Sequence, residues 1–147
     1  MENNIISVDD LLTKNGFKKD ESGIYKSGNE GYWSNLDKEK NKKFIELLKN
    51  KSPLEAVRKI IPELEDHIYS VNREVALELL DIKKDDICID YGCMWGVLSV
   101  GMAKRGGRVI SVDQTEDSLA FLNSRKIFDG YKNITCVQDD IRKITLE

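Results

Sequence analysis

The spacing of apolar residues changes character partway along the chain. Between Asp37 and Asn50, Phe44, Ile45, Leu47 and Leu48 share one side of a 3.6-residue period, with lysines opposite; this predicts an amphipathic helix with a solvated polar face. Ser52-Pro53 supplies the N-cap and first helical position of a second helix carrying Leu54, Val57, Ile60 and Ile61, which Pro62 interrupts. A third helix is expected near Val71 to Leu80, and a short one, capped by Ser7, through Leu11 and Leu12 to Asn15-Gly16. Phe17-Lys18-Lys19 and Ile24-Tyr25-Lys26 flank Asp20-Glu21-Ser22-Gly23 as a small hairpin, and residues 27–34 read as a loop with Tyr32 and Trp33 as packing anchors.

After a turn at Lys83-Lys84-Asp85-Asp86 the pattern becomes β-like. Asp86-Ile87-Cys88-Ile89-Asp90-Tyr91 reads as a strand that meets a glycine turn and a helix from Val97. A second strand, Arg108 to Val112, ends in Asp113; a helix from about Glu116 to Phe128 stops at Asp129-Gly130, and a third strand covers Asn133 to Val137. Strands alternating with helices of this length imply right-handed crossovers, an α/β fold with a partial doubly wound parallel sheet, and a ligand site at the carboxyl ends of the strands. The chain accordingly divides into a helical cap with a hairpin segment over 1–82 and a strand-and-helix region over 83–147.

Composition narrows the function. With 147 residues, 40% hydrophobic and 33% charged, the chain can bury the core of one domain. Lys and Arg number 23 against 26 Asp and Glu, and a net charge of -3 offers no basic field for a nucleic-acid backbone. No basic segment followed by an apolar stretch opens the sequence and no apolar run spans a bilayer, so a cytoplasmic protein without a membrane partner is expected. Cys88, Cys93 and Cys136 form no Cys-x-x-Cys pair, and His67 is the sole histidine, so neither a disulfide framework nor a metal site is expected. Cys93 and Cys136 read as packing residues, and His67 as a surface or interhelix residue.

The chemistry concentrates in Gly92-Cys93-Met94-Trp95-Gly96. A dinucleotide site wants Gly-x-Gly-x-x-Gly, with bare backbone against the pyrophosphate. This turn is Gly-x-x-x-Gly, Met94 puts a side chain where that backbone would lie, and Asp90 brings a carboxylate towards the phosphates, so NAD fits poorly. Asp90, Asp113 and Asp140 fall at or just past the three strand ends. Taken singly, each also suits a cap or a turn.

The run Asp90-Tyr91-Gly92-Cys93-Met94-Trp95-Gly96 resembles motif I of the class I S-adenosylmethionine-dependent methyltransferases, Asp/Glu-x-Gly-x-Gly-x-Gly, with Met94 in place of the middle glycine. The family's second-strand acidic residue matches Asp113, and its third-strand Asp matches Asp140. The resemblance implies S-adenosylmethionine as cofactor, with Gly92, Cys93, Met94 and Gly96 forming the turn against it. Asp90 suits its ammonium, and amides at the following helix N-terminus its carboxylate. Asp113, with two acceptor oxygens, suits the ribose hydroxyls, and Gln114 sits beside it. Asp140 would accept from the adenine amino group while the Ile141 amide donates to the ring, Met94 or Trp95 would give apolar contact, and Tyr69, Asn72 and Arg73 would fold over the mouth.

The family's sheet has further strands on the far side of the first, and this sequence supplies only the first three. The first strand is then expected as an edge, with Ile87 and Ile89 short of cover. The remainder of a longer enzyme, the N-terminal helices, a second copy or another chain could cover it. On the fragment reading, this chain supplies the cofactor half and by itself turns over negligibly, because methyl transfer depends on holding an acceptor in line. The acceptor is unidentified, with small molecules and glycan- or lipid-linked groups as candidates. The competing reading is a non-catalytic module that recruits a partner through the open strand edge.

Overall fold

The structure is a computed structural model that describes residues 6–28, 34–144 and 146. The anchors expected at Tyr32 and Trp33 lie outside the described residues. Helix α1 (Val8–Lys14) is capped by Ser7, whose hydroxyl accepts from the Asp10 amide. The hairpin follows as β1 (Lys18–Lys19) and β2 (Tyr25–Lys26). Asp37 caps α2 (Lys38–Asn50), and Ser52 and Glu55 form a reciprocal capping box on α3 (Pro53–Ile60).

The segment after Pro62 departs from expectation. A 3-10 turn at Pro62–Leu64 leads into α4 (Glu65–Tyr69), and Asn72–Leu79 is a 3-10 helix rather than an α-helix. Leu77 is the residue of that segment that is buried, fitting against Gly101, so no apolar stripe of helical period holds it in α-geometry. The second half follows the expected order: β3 (Ile87–Tyr91), α5 (Val97–Lys104), β4 (Arg108–Asp113), α6 (Glu116–Asp129) and β5 (Ile134–Gln138). Gly130, at φ +79°, ends α6 in the left-handed conformation that glycine takes without cost.

The sheet runs β1-β2-β5-β4-β3, with β5, β4 and β3 parallel. It is longer than the expected three strands, because β2 adds in parallel to β5, with Tyr25 beside Val137, and β1 closes the edge antiparallel. The Asn123 side-chain amide holds this hairpin by donating to the Ser22 carbonyl, and the Ser27 hydroxyl does so by donating to Asp139. Strand β4 is buried on both faces. Val109 joins Val100 and Met102 of α5 and Leu119 and Leu122 of α6, while Ile110 and Val112 pack on the other face with Leu12 of α1, Phe17 and Tyr25. Both crossover helices therefore lie on one side, as right-handed connections require.

Strand β3 is the other edge. Its Cys88 and Asp90 face α5, whereas Ile87, Ile89 and Tyr91 are 40%, 38% and 50% exposed, matching the expected shortage of cover. Among the described residues no helix is long and apolar enough to cross a membrane.

The helical layer docks on α6 through aromatic rings. Trp95 of the glycine turn meets Phe44 of α2 and Phe121 of α6 edge-on, at 6.0 and 5.8 Å between centroids, and Tyr69 meets Phe121 at 6.1 Å. Asp117, buried in the first turn of α6, accepts the Asn35 and Leu36 amides at 2.9 and 3.0 Å, tying down the approach to α2. Trp95→Ala is expected to cost about 3–5 kcal/mol, as large aromatic truncations in cores do. Urea unfolding measures this, and a loss below about 1 kcal/mol would mean that the rings do not couple the layer to the sheet.

Candidate functional site at the strand ends

The carboxyl ends of β3, β4 and β5 gather the glycine turn, Asp113-Gln114 and Asp139-Asp140 along one rim, in the register Tyr91 beside Val112 and Asp113 beside Gln138. The Gly92 and Cys93 amides both donate to the Val112 carbonyl, at 2.8 and 3.0 Å, folding the turn onto β4. They are thereby occupied by the protein. Gly92 has φ +70°, and the space where its side chain would be is open, so a ligand can approach its backbone. At Gly96, φ +74°, a Cβ would lie 2.3 Å from Leu122, so this glycine permits the close packing of α6.

Met94 holds a left-handed φ of +45°, which a side chain rarely adopts. Its amide donates to Asp113 Oδ2 at 2.8 Å, while its side chain is exposed at the turn. Cys93 points its thiol into the core, where burial pushes it well above the ordinary value, and burial holds Cys136 at about 11. Trp95 is committed to the aromatic cluster and turns away from the open side of the turn.

Asp113 is buried and well supplied with donors. Its Oδ1 accepts the Thr115 amide and hydroxyl at 2.9 and 2.7 Å, and its Oδ2 accepts from Met94. A carboxylate offers about four acceptor positions, so Oδ2 retains one. The Gln114 carbonyl accepts from the Gln138 side-chain amide. Asp140 is gripped by the Arg142 guanidinium at 2.8 and 2.7 Å, which holds its carboxyl down at about 2. Ile141 is half exposed beyond it. Asp139 is buried, accepting the Ser27 hydroxyl and the Asp140 amide, both at 2.8 Å.

Asp90 points under the turn and accepts from the Ser99 hydroxyl at 2.6 Å. Burial raises its carboxyl above the ordinary range, Asp113 adds to the rise, and the Ser99 bonds oppose it. The rim thus brings Asp90, the turn, Asp113, Gln114, Asp140 and Ile141 together. Tyr69 meets Phe121 edge-on and has the Arg125 guanidinium 4.6 Å from its ring, so it is held on α6 rather than poised over a mouth; Asn72 and Arg73 are exposed.

The sequence reading missed Thr115, Asp139, Ser99 and Asp117. Thr115 follows Asp113 at the spacing of an Asx-turn, a signal that could have been found. The partners of the other three depend on tertiary placement. A separate groove of about 970 Å³ runs between the hairpin, the end of α2 and α6, past Ile24, Leu48 and Phe128, and reaches the rim only at Glu116 and Gln138.

No family model and no curated protein matches the chain. Among solved structures it is similar to a putative S-adenosyl-L-methionine-dependent methyltransferase from Methanococcus maripaludis, at 22% identity and TM-score 0.51, covering 80% of this chain and 49% of that one. It also matches an S-adenosylmethionine-dependent methyltransferase from Aquifex aeolicus, at 19% identity and TM-score 0.47, over 63% of this chain and 50% of that one. Coclaurine N-methyltransferase bound to N-methylheliamine and S-adenosylhomocysteine matches at 14% identity and TM-score 0.48, over 78% and 43%. The chain shares the fold of the Methanococcus maripaludis structure and spans about half the length of the structures it matches.

Arg142→Ala is expected to raise the Asp140 carboxyl from about 2 towards the ordinary aspartate value of about 3.9. Because the folded value is the depressed one, any stability from this pair is complete above the unfolded value and fades as pH falls through about 2. Carboxyl-carbon NMR titration reads the change; an unmoved midpoint would show that Arg142 does not set it.

Proposed function

We propose that this chain binds S-adenosylmethionine and supplies the cofactor side of a methyl-transfer site. The observation that carries the reading is the convergence of Asp90, an open Gly92 backbone and Asp113 on the carboxyl rim of three parallel strands. The methyltransferase fold of its 22%-identical structural neighbour supports the same reading. The donor set suits the ligand's chemistry. Asp90 offers an anion to an ammonium, Asp113 keeps an acceptor position for a ribose hydroxyl, and Met94 offers an apolar side chain at the mouth.

When bound, the cofactor supplies a methyl group on a sulfonium, already activated for transfer. The chain's own part is to bind and orient, which carries much of the rate in such a transfer. For Asp140 to serve the adenine, the Arg142 guanidinium must share or yield its carboxylate. The acceptor would be a small molecule or a glycan- or lipid-linked group, presented beside the turn in an assembly that also holds an acceptor side.

The apolar, exposed edge of β3 favours a second reading, a module that takes up a partner strand without catalysis, the partner being another chain or a second copy. Calorimetric titration with S-adenosylhomocysteine separates the two. Saturable binding, weakened at least tenfold in Asp113→Asn with the melting temperature checked in parallel, is the expected result, and NADH should give no heat. A folded chain that binds no S-adenosylhomocysteine would overturn the cofactor reading and leave the strand-edge module in its place.

A further inference from the structure

Beneath the glycine turn runs a chain of hydroxyls that ends on Asp90. Ser111, in the middle of β4 and directly beside Asp90 in the strand register, donates its hydroxyl to Ser99 Oγ at 2.8 Å. Ser99, in the first turn of α5, donates in turn to Asp90 Oδ2 at 2.6 Å, and its backbone amide supports the same carboxylate. Both serines are fully buried, where a hydroxyl without an acceptor is costly. Each serine has one proton, so the run has a direction: the Ser99 proton is spent on Asp90, leaving its lone pairs for Ser111. A chain that delivers its protons to a carboxylate is matched to an ionised acid, and its bonds to that anion are of the stronger, charge-assisted kind.

Two influences oppose ionisation: the partial burial of Asp90 and the negative Asp113 across the rim. The other titratable group facing it, the Cys93 thiol in the turn, is held neutral by burial. We propose that Ser99 and Ser111 are positioning residues that keep Asp90 an oriented anion, so that the turn selects adenosyl ligands carrying a cationic amino-acid end over those lacking one. This rests on the cofactor reading above, and it adds how the site would tell such ligands apart.

The test compares S-adenosylhomocysteine with 5′-methylthioadenosine, which has the nucleoside and sulfur but no ammonium, by calorimetry on the native chain, Ser99→Ala and Ser111→Ala. Loss of a bond supporting a charged group predicts roughly five- to tenfold weaker S-adenosylhomocysteine binding in Ser99→Ala, a smaller loss in Ser111→Ala, and a change below about twofold for 5′-methylthioadenosine. The ratio of the two affinities should also fall away at higher pH in Ser99→Ala than in the native chain, since the unsupported Asp90 takes up its proton sooner. Asp113 would serve the ribose, which both ligands carry. Equal weakening of both ligands, or none, overturns the proposal. If Ser99→Ala loses 5′-methylthioadenosine binding through misfolding, Ser111→Ala carries the comparison. Carboxyl-carbon NMR of the ligand-free chain keeps this proposal distinct from the cofactor reading. An Asp90 midpoint that moves up in Ser99→Ala while no ligand binds the native chain sustains the hydroxyl chain's hold on Asp90 and removes the cofactor reading and the selectivity with it; an unmoved midpoint overturns the positioning role outright.

Discussion

The strand-end rim depends on how the Gly92–Gly96 turn is pinned. From below, three successive amides, those of Gly92, Cys93 and Met94, are spent on the end of β4, two on the Val112 carbonyl and one on the Asp113 carboxylate. From the side, Trp95 is locked among Phe44 and Phe121. A five-residue loop fixed at both its backbone and its one large ring has little freedom to drift. The helical layer, the sheet and the rim are thereby one packed unit, because the same turn belongs to all three.

That pinning has a consequence for chemistry. Donors that a looser turn could offer to a ligand are already used internally, and Asp113 is three-quarters filled by Thr115 and Met94. What remains for a ligand is the open face of Gly92, the free position on Asp113 and the carboxylate of Asp90. Met94 concentrates the strain: its left-handed backbone is sustained by the bond to Asp113, so a ligand competing for that carboxylate also competes with the conformation of the turn.

Much of this was legible in the sequence because it is local. Ser7, Asp37 and Ser52-Pro53 announce their helices, and the strand–glycine–helix order from Asp86 onward places Asp90, Asp113 and Asp140 at the strand ends without any knowledge of packing. The 3-10 geometry of Asn72–Leu79 was not legible, since Val75 and Leu79 look like core residues until the fold leaves them exposed. Nor was the union of β2 with β5, a pairing between residues more than a hundred positions apart. Ser99 and Ser111 are unremarkable in sequence and acquire meaning only when β3, α5 and β4 are brought together.

The two edges of the sheet are treated differently, and the difference reaches the site. The hairpin covers the β5 side, whereas β3 carries Ile87, Ile89 and Tyr91 on an exposed face and Asp90 on the opposite one. Anything laid against β3 removes water from the strand that holds Asp90, which would favour the neutral acid. An anion at that position therefore needs support from within the fold, independent of what lies outside it. The Ser111–Ser99 chain approaches from α5 and β4, the two elements already packed on β3, and its hold on Asp90 does not depend on solvent at the edge.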